Sequence, residues 1–139
     1  MQDGLSLDEI IKLGKNMSGW KKMPVKREET RREADMICGH WIEGGTVQQW
    51  IRTTYESSFK EWDIVISHEH YRDFRNKKSE GCSHYWIIVY SNNIKIGEHL
   101  STSGRLKTFF EEISSDYEKN RKEEEDAALK NTRTLLKYI

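Results

Sequence analysis

Two segments rich in β-branched and aromatic residues most constrain the fold of this chain. Trp62–His70 reads WDIVISHEH, and Cys82–Tyr90 reads CSHYWIIVY. Residues of these types favour strands. The run Tyr85–Tyr90 is apolar on both faces, which is typical of a central strand covered on both sides. The polar segment between the two strands ends in glycine, so we expect a loop joining an antiparallel pair.

The segments around this pair also favour a sheet. Asn92–Asn93 tolerates left-handed backbone conformations and predicts a tight turn into Ile94–Glu98. The stretch Met36–Tyr55 has two interpretations. We favour a β-hairpin that turns at Gly44–Gly45, since a type I′ turn needs positive φ at both positions. The alternative is a pair of helices separated by these glycines.

Helices are expected at both ends of the sequence. Ser6 and Glu9 form an S-x-x-E capping box, which predicts the start of a first helix. The segment Val25–Asp35 consists mostly of strong helix formers and predicts a second, surface helix. A long helix should begin near Arg105, with a buried face at 3.6-residue spacing. The residues of that face are Leu106, Phe109, Phe110, Ile113 and Tyr117.

These elements predict an α+β fold with two N-terminal helices, an antiparallel sheet of four or five strands, and a long C-terminal helical segment packed on the sheet. The length of 139 residues fits a single domain. Within it, residues 1–24 form an N-terminal helix and basic connector. Residues 25–117 form the α+β core, and residues 118–139 form a charged, then apolar, helical extension.

Composition narrows the class of protein. Lys and Arg number 23, as do Asp and Glu, so the net charge of zero argues against a wholly electrostatic, histone-like binder. No apolar run is long enough for a transmembrane helix, and the first residues do not have the pattern of a secretory signal. Two cysteines cannot form a disulfide framework. We therefore expect a cytoplasmic protein that does not bind membranes.

The neutral total hides a charge gradient. Lys12–Arg32 carries eight basic residues and two acids, whereas Glu111–Asp126 carries eight acids and three basic residues. A basic segment attracts phosphates, and an aromatic side chain beside lysines can stack on a base. Backbone N–H groups at the start of the last helix are a second place to hold an anion. The residues expected to bind a phosphate-bearing ligand are Trp20, Lys21, Lys22, Arg27, Arg31, Ser101, Ser103 and Arg105. The alternative is that these charged residues form solvent-exposed faces of helices without binding a ligand, and that Trp20 anchors the connector against the domain.

The two strands also carry a candidate metal site. Residues two apart on a strand share a face, so His68 pairs with His70 and Cys82 pairs with His84. If the loop is centred near residue 76, His68 lies opposite His84 and His70 opposite Cys82. Tetrahedral zinc accepts such a set of ligands. A register slip of one residue would move one pair to the other face and leave ordinary polar side chains at the end of the sheet. Cofactors are otherwise not expected.

Three hypotheses for function follow. The first is a non-enzymatic binding protein for a nucleotide or nucleic acid. The second is a small inhibitor or adaptor that occupies a protein partner. The third is a zinc-dependent hydrolase that uses the histidine and cysteine cluster. The apolar C-terminal stripe further predicts a homo-oligomer, because a soluble monomer tends to avoid such an exposed patch. The residues of that stripe are Leu129, Leu135, Leu136 and Ile139.

Overall fold

The computed structural model describes residues 4–32, 35–37, 40–42, 46–73, 82–102 and 104–139. Two helices flank the strands along the chain. The elements are α1 (Leu7–Lys15), β1 (Lys21–Lys22), β2 (Lys26–Arg32), β3 (Asp35–Ile37), β4 (His40–Ile42), β5 (Thr46–Phe59), β6 (Trp62–Asp73), β7 (Cys82–Ser91), β8 (Ile94–Ser101) and α2 (Arg105–Leu136).

One antiparallel sheet dominates this part of the chain. Its strands follow the order β1-β5-β6-β7-β8, and β2 pairs with the same edge of β5 as β1 does, further along that strand. The sheet is therefore five strands wide at most, as the sequence predicts. Strands β3 and β4 pair with each other in a separate two-stranded ladder. The α+β class and the long C-terminal helix are confirmed.

The second N-terminal helix predicted over Val25–Asp35 is wrong. Residues 26–32 form β2, which pairs with β5 from Lys26 opposite Arg52 to Arg32 opposite Thr46. Helix propensity amounts to only a few tenths of a kcal/mol per residue, roughly, and tertiary pairing overrides it here. The first helix is confirmed, since Ser6 and Glu9 form both hydrogen bonds of the capping box, at 3.2 and 3.0 Å.

The strands predicted within Met36–Tyr55 form, but not as one hairpin. β4 pairs with β3, with Met36 opposite Trp41, whereas β5 pairs with β2 and β6. The prediction that the two strands flanking Gly44–Gly45 pair with each other is therefore wrong. The glycines themselves lie outside the described residues. The turn at Asn92–Asn93 is confirmed, because both residues have positive φ, 49° and 66°, and they join β7 to β8.

Both helices pack on one face of the sheet, which we call the helix face. Its buried residues share a parity on three neighbouring strands: they are Tyr55 on β5, Ile64 and Ile66 on β6, and Tyr85, Ile87 and Val89 on β7. From the helices, the core includes Ile10, Ile11, Leu106, Phe109, Phe110 and Ile113. The opposite face, which we call the helix-free face, carries neither described helix.

One contact fastens α2 to the sheet, and another joins the two helices. The Tyr55 hydroxyl donates a hydrogen bond to Ser114 Oγ at 3.1 Å. Glycine 14 of α1 lies against the ring of Phe109, so closely that an added Cβ would be 2.6 Å from Cζ. The helices therefore contact each other as well as the strands.

The segment before α1 lies along strand β8. The backbone N–H of Leu5 donates to the carbonyl of Ile96 at 2.9 Å. The carbonyl of Leu5 in turn hydrogen-bonds Nε2 of His99 at 3.0 Å. This segment is therefore tied to the sheet at the strand opposite to β1 and β2.

Candidate functional site

The register of β6 and β7 separates the four side chains of the predicted metal site. His68 lies opposite Tyr85, and His70 lies opposite Ser83. The register is one residue away from the predicted one, so His68 and His70 are on the helix face whereas Cys82 and His84 are on the helix-free face. The predicted convergence of the four side chains is therefore wrong.

Zinc binding itself stays a prediction, but the arrangement that motivated it does not form. Within the part of the chain that the structure describes, no three His, Cys, Asp or Glu side chains are grouped so that they could hold a metal ion. Among the residues that the structure describes, no geometry supports metal-dependent hydrolysis.

His68 belongs to the packing of the helix face. Its ring stacks on Tyr85, with 4.5 Å between centroids, and lies 5.6 Å from the ring of Phe110. Burial lowers the pKa of His68 below its usual value of 6.5, and the nearby His70 lowers it further. The ring is therefore neutral at pH 7. Among the described residues its Nε2 atom has no hydrogen-bond partner.

The helix-free face carries a row of charged and polar residues that crosses three strands. Arg52, Glu69 and His84 lie opposite one another on β5, β6 and β7. Arg52 Nε donates to Glu69 Oε1 at 2.7 Å, and Arg52 Nη2 contacts the same oxygen. Glu69 is only 5% exposed. This buried carboxylate needs its cation, because an unpaired buried charge is costly.

Aromatic and hydroxyl groups extend this row. The Arg52 guanidinium lies 4.8 Å from the ring centroid of Trp86, a cation–π distance. In the next row, Thr54 Oγ1 and Ser67 Oγ share a hydrogen bond of 2.8 Å. The half-buried Tyr90 lies on the same face, four residues after Trp86 along β7. The sequence analysis did not identify Arg52. The signal that could have found it is the period-two alternation along β5, which places Arg52 on the face opposite to Tyr55.

The second half of the basic segment, residues 21–32, runs along one edge of the sheet. Lys21 and Lys22 make up β1, and both Arg27 and Arg31 occupy positions in β2. Lys21 and Lys26 are exposed. Lys22 Nζ lies 3.5 Å from Glu118 Oε1 of α2. Since Lys26 is opposite Arg52 in register, the basic edge and the row on the helix-free face are continuous.

Trp20 packs on the core rather than standing free. Its ring meets Phe109 edge to face, with 6.2 Å between centroids, and the residue is half-buried. Of the two roles considered for Trp20, anchoring the connector is the one with contacts in the structure.

The start of α2 lies apart from the basic edge. Arg105 forms an ion pair with Asp8, and Ser101 belongs to β8, opposite Tyr85. Gly104 is the N-cap and supplies no side chain for capping. Ser103 lies outside the described residues. Arg105 is 13 residues before Glu118, the partner of Lys22, so about 20 Å of helix separates the two groups. The structure does not bring the predicted phosphate-binding residues into one pocket.

Comparisons with known proteins found no match among family models, curated proteins or solved structures. Among the described residues, no helix is both long enough and apolar enough to cross a membrane.

Proposed function

We propose that this protein is a non-enzymatic binding protein for a phosphate-bearing ligand, and that this ligand is a single-stranded nucleic acid. The observation that carries the proposal is the placement of basic residues along one sheet edge. Six of them occupy β1 and β2: Lys21, Lys22, Lys26, Arg27, Arg31 and Arg32. Only two acids, Glu28 and Glu29, lie among them.

The spread of these charges favours a polymer over a single nucleotide. An extended chain rises about 3.3 Å per residue, so Lys21 and Arg32 are separated by up to roughly 36 Å. A mononucleotide would need the charges to converge on one point, and Arg105 is instead paired with Asp8 at the far end of α2. A line of cations suits the repeating phosphates of a strand.

The helix-free face supplies a surface for bases beside this edge. Antiparallel sheets that bind single strands use aromatic side chains on an uncovered face as stacking platforms. Trp86 and Tyr90 are half-buried aromatic residues on this face. Arg52 lies between Trp86 and the start of β2, since it is opposite Lys26 in register and its guanidinium is 4.8 Å from the Trp86 ring centroid. Glu69 holds it there. A phosphate bound near Lys26 would therefore leave its base directed towards Trp86.

Oligonucleotide binding to paired charge variants tests the proposal. Lys21→Gln/Lys26→Gln removes two exposed charges from the edge, and Lys119→Gln/Lys122→Gln removes two exposed charges from α2 as a matched control. Fluorescence anisotropy with a labelled single strand of about 20 nucleotides, longer than a typical single-domain site, measures affinity against salt. Each lost phosphate contact lowers the salt slope by about 0.7, so the edge variant should bind about tenfold more weakly at roughly 0.15 M salt.

Three results would contradict the proposal. The first is the absence of binding by the parent protein. The second is an equal loss of affinity in the edge variant and the control, which would indicate net charge rather than the edge. The third is binding of a mononucleotide as tight as that of the strand, which would show that the polymer is not the ligand. Thermal unfolding of both variants verifies that each is folded.

A further inference from the structure

The helix-free face carries one large apolar side chain that is mostly exposed to solvent. Leu100 belongs to β8, at the side of the sheet away from the basic edge, and it is 67% exposed. Its register partner on β7 is Trp86. The Cβ atoms of residues opposed in this way lie about 4.5–5.5 Å apart on the same face. The indole and the leucine side chain are therefore direct neighbours in one apolar surface.

Trp86 has different neighbours on its two sides. Towards β5, the Arg52 guanidinium reaches across β6 to 4.8 Å from the centroid of the indole ring. On that side the register partner of Trp86 is Ser67, which is only 2% exposed. Towards β8, the register partner is the exposed Leu100. A ligand that contacts the half-buried indole from the β8 side therefore also contacts Leu100.

The rows above and below Trp86 differ in what they offer a phosphate. The row towards the turn between β7 and β8 has Val65 and Ile88 at its centre, and these side chains cannot pair with an anion. The row on the other side contains Arg52 and continues to the exposed Lys26 on β2. Phosphates are therefore favoured on the Lys26 side of Trp86.

We infer that a bound single strand crosses the sheet from Lys26 and places one of its bases on the surface formed by Trp86 and Leu100. The inference rests on the function proposed above, and it adds Leu100 to the residues that bind the strand. β2 and β8 are four strand spacings apart, which is roughly 19 Å. Successive nucleotides of one strand bridge this distance, with phosphates near the basic edge and a base at β8.

The chemistry of this surface determines which strands it accepts. Every base has an aromatic face that stacks on an indole, so stacking of this kind tolerates any sequence. The leucine adds apolar contact and has no hydrogen-bond donor or acceptor in its side chain. Base identity is therefore read weakly, whereas the presence of an unpaired base is required. The ligand class is a single strand of any sequence.

Comparison of a normal strand with an abasic strand separates the base contact from the phosphate contacts. The probes are a labelled strand of about 20 thymidines and an abasic strand of equal length, which keeps every phosphate. Leu100→Ala removes the exposed leucine side chain. Ile94→Ala is the matched control, because Ile94 lies on the same strand and is also 67% exposed, but is opposite Ser91 beside the turn. Lys21→Gln/Lys26→Gln reports on the phosphate contacts.

Fluorescence anisotropy at one salt concentration measures each affinity. The parent should bind the thymidine strand more tightly than the abasic strand. Leu100→Ala should bind the thymidine strand about fivefold more weakly than the parent does, as expected for the loss of one apolar contact, and should bind the abasic strand equally well. Ile94→Ala should match the parent on both strands, and the lysine variant should lose affinity for both. Thermal unfolding verifies that every variant is folded.

Three results overturn the inference while leaving the basic edge as the binding site. The first is equal affinity of the parent for the two strands. The second is a Leu100→Ala variant that binds both strands like the parent or loses affinity equally for both. The third is an equal loss in Ile94→Ala. Absence of binding by the parent to either strand overturns the proposed function, and the inference with it.

Discussion

Substitution of Gly14 by alanine separates what the sequence predicts from what the structure predicts. Gly14 is the second-to-last residue of α1, and within a helix glycine is up to about 1 kcal/mol less favourable than alanine. Helix propensity alone therefore predicts that Gly14→Ala stabilises the protein. In the structure, the new Cβ would lie 2.6 Å from Cζ and 2.8 Å from Cε2 of Phe109. These distances are too short for carbon atoms, so the structure predicts the opposite sign.

The size of the effect follows from how firmly Phe109 is held. Phe109 is only 4% exposed, its ring packs edge to face with that of Trp20, and it belongs to the same buried cluster as Ile64. The ring cannot move away without displacing these neighbours. Overpacking of a core costs about 1–3 kcal/mol, and two contacts this short indicate the upper part of that range. After subtraction of the propensity gain, Gly14→Ala should lose about 1–2 kcal/mol of unfolding free energy.

Urea unfolding monitored by circular dichroism, at one fixed protein concentration, measures this difference. Lys12→Ala, on the exposed side of the same helix, is the control and should change the unfolding free energy by less than about 0.5 kcal/mol. Phe109→Leu shortens the opposing side chain, so Gly14→Ala should be less destabilising in that background, which a double-mutant cycle detects. If Gly14→Ala raises the unfolding free energy, the close packing of α1 on Phe109 is refuted.

Two further predictions concern the two faces of the sheet. Because burial lowers the pKa of His68, the unfolded chain binds the proton more readily, so stability should be full above pH 6.5 and fall as the pH drops below that value. His68→Phe should flatten this dependence in thermal melts from pH 7 to pH 5, and an unchanged slope would contradict it. Arg52→Ala should cost about 2–3 kcal/mol because it leaves the buried Glu69 carboxylate without its cation. Adding Glu69→Gln should recover part of that loss in urea unfolding; no recovery would mean that the ion pair is not the cause.

The features predicted correctly from the sequence depend on residues close together in the chain. The capping box needs only Ser6 and Glu9, and the turn between β7 and β8 needs only Asn92 and Asn93. Their geometry is set by local hydrogen bonds and φ preferences, which a sequence states directly. The buried face of α2 also follows from spacing within one helix.

The segment 26–32 was assigned wrongly because its partner is distant in the sequence. Its residues, KREETRR, favour a helix when considered alone. In the fold, Lys26 lies opposite Arg52 and Arg32 opposite Thr46, and just before it the backbone N–H of Met23 donates to the carbonyl of Thr54 at 2.9 Å. A full ladder of backbone hydrogen bonds outweighs small side-chain preferences.

The predicted convergence of the candidate metal site is wrong for a related reason. The prediction that His68 and His70 share a face is confirmed, since alternation along one strand is fixed. The register with β7 is not fixed by the sequence, because residues 86–90 are apolar at odd and even positions alike. Either face of that strand can be buried, so the hydrophobic pattern does not choose between registers one residue apart. The pairing of Arg52 with Glu69 depends on the same kind of long-range register.

The hydrogen bond between Leu5 and Ile96 has a consequence for how copies of this chain meet. Outermost strands are templates for uncontrolled addition of further strands, and proteins block them with covering segments or with charge. The backbone before α1 hydrogen-bonds to part of β8, while the opposite edge carries Lys26 and the three arginines of β2, which repel an identical strand. Because both borders of the sheet are protected, each in a different way, growth into a continuous β-assembly is disfavoured.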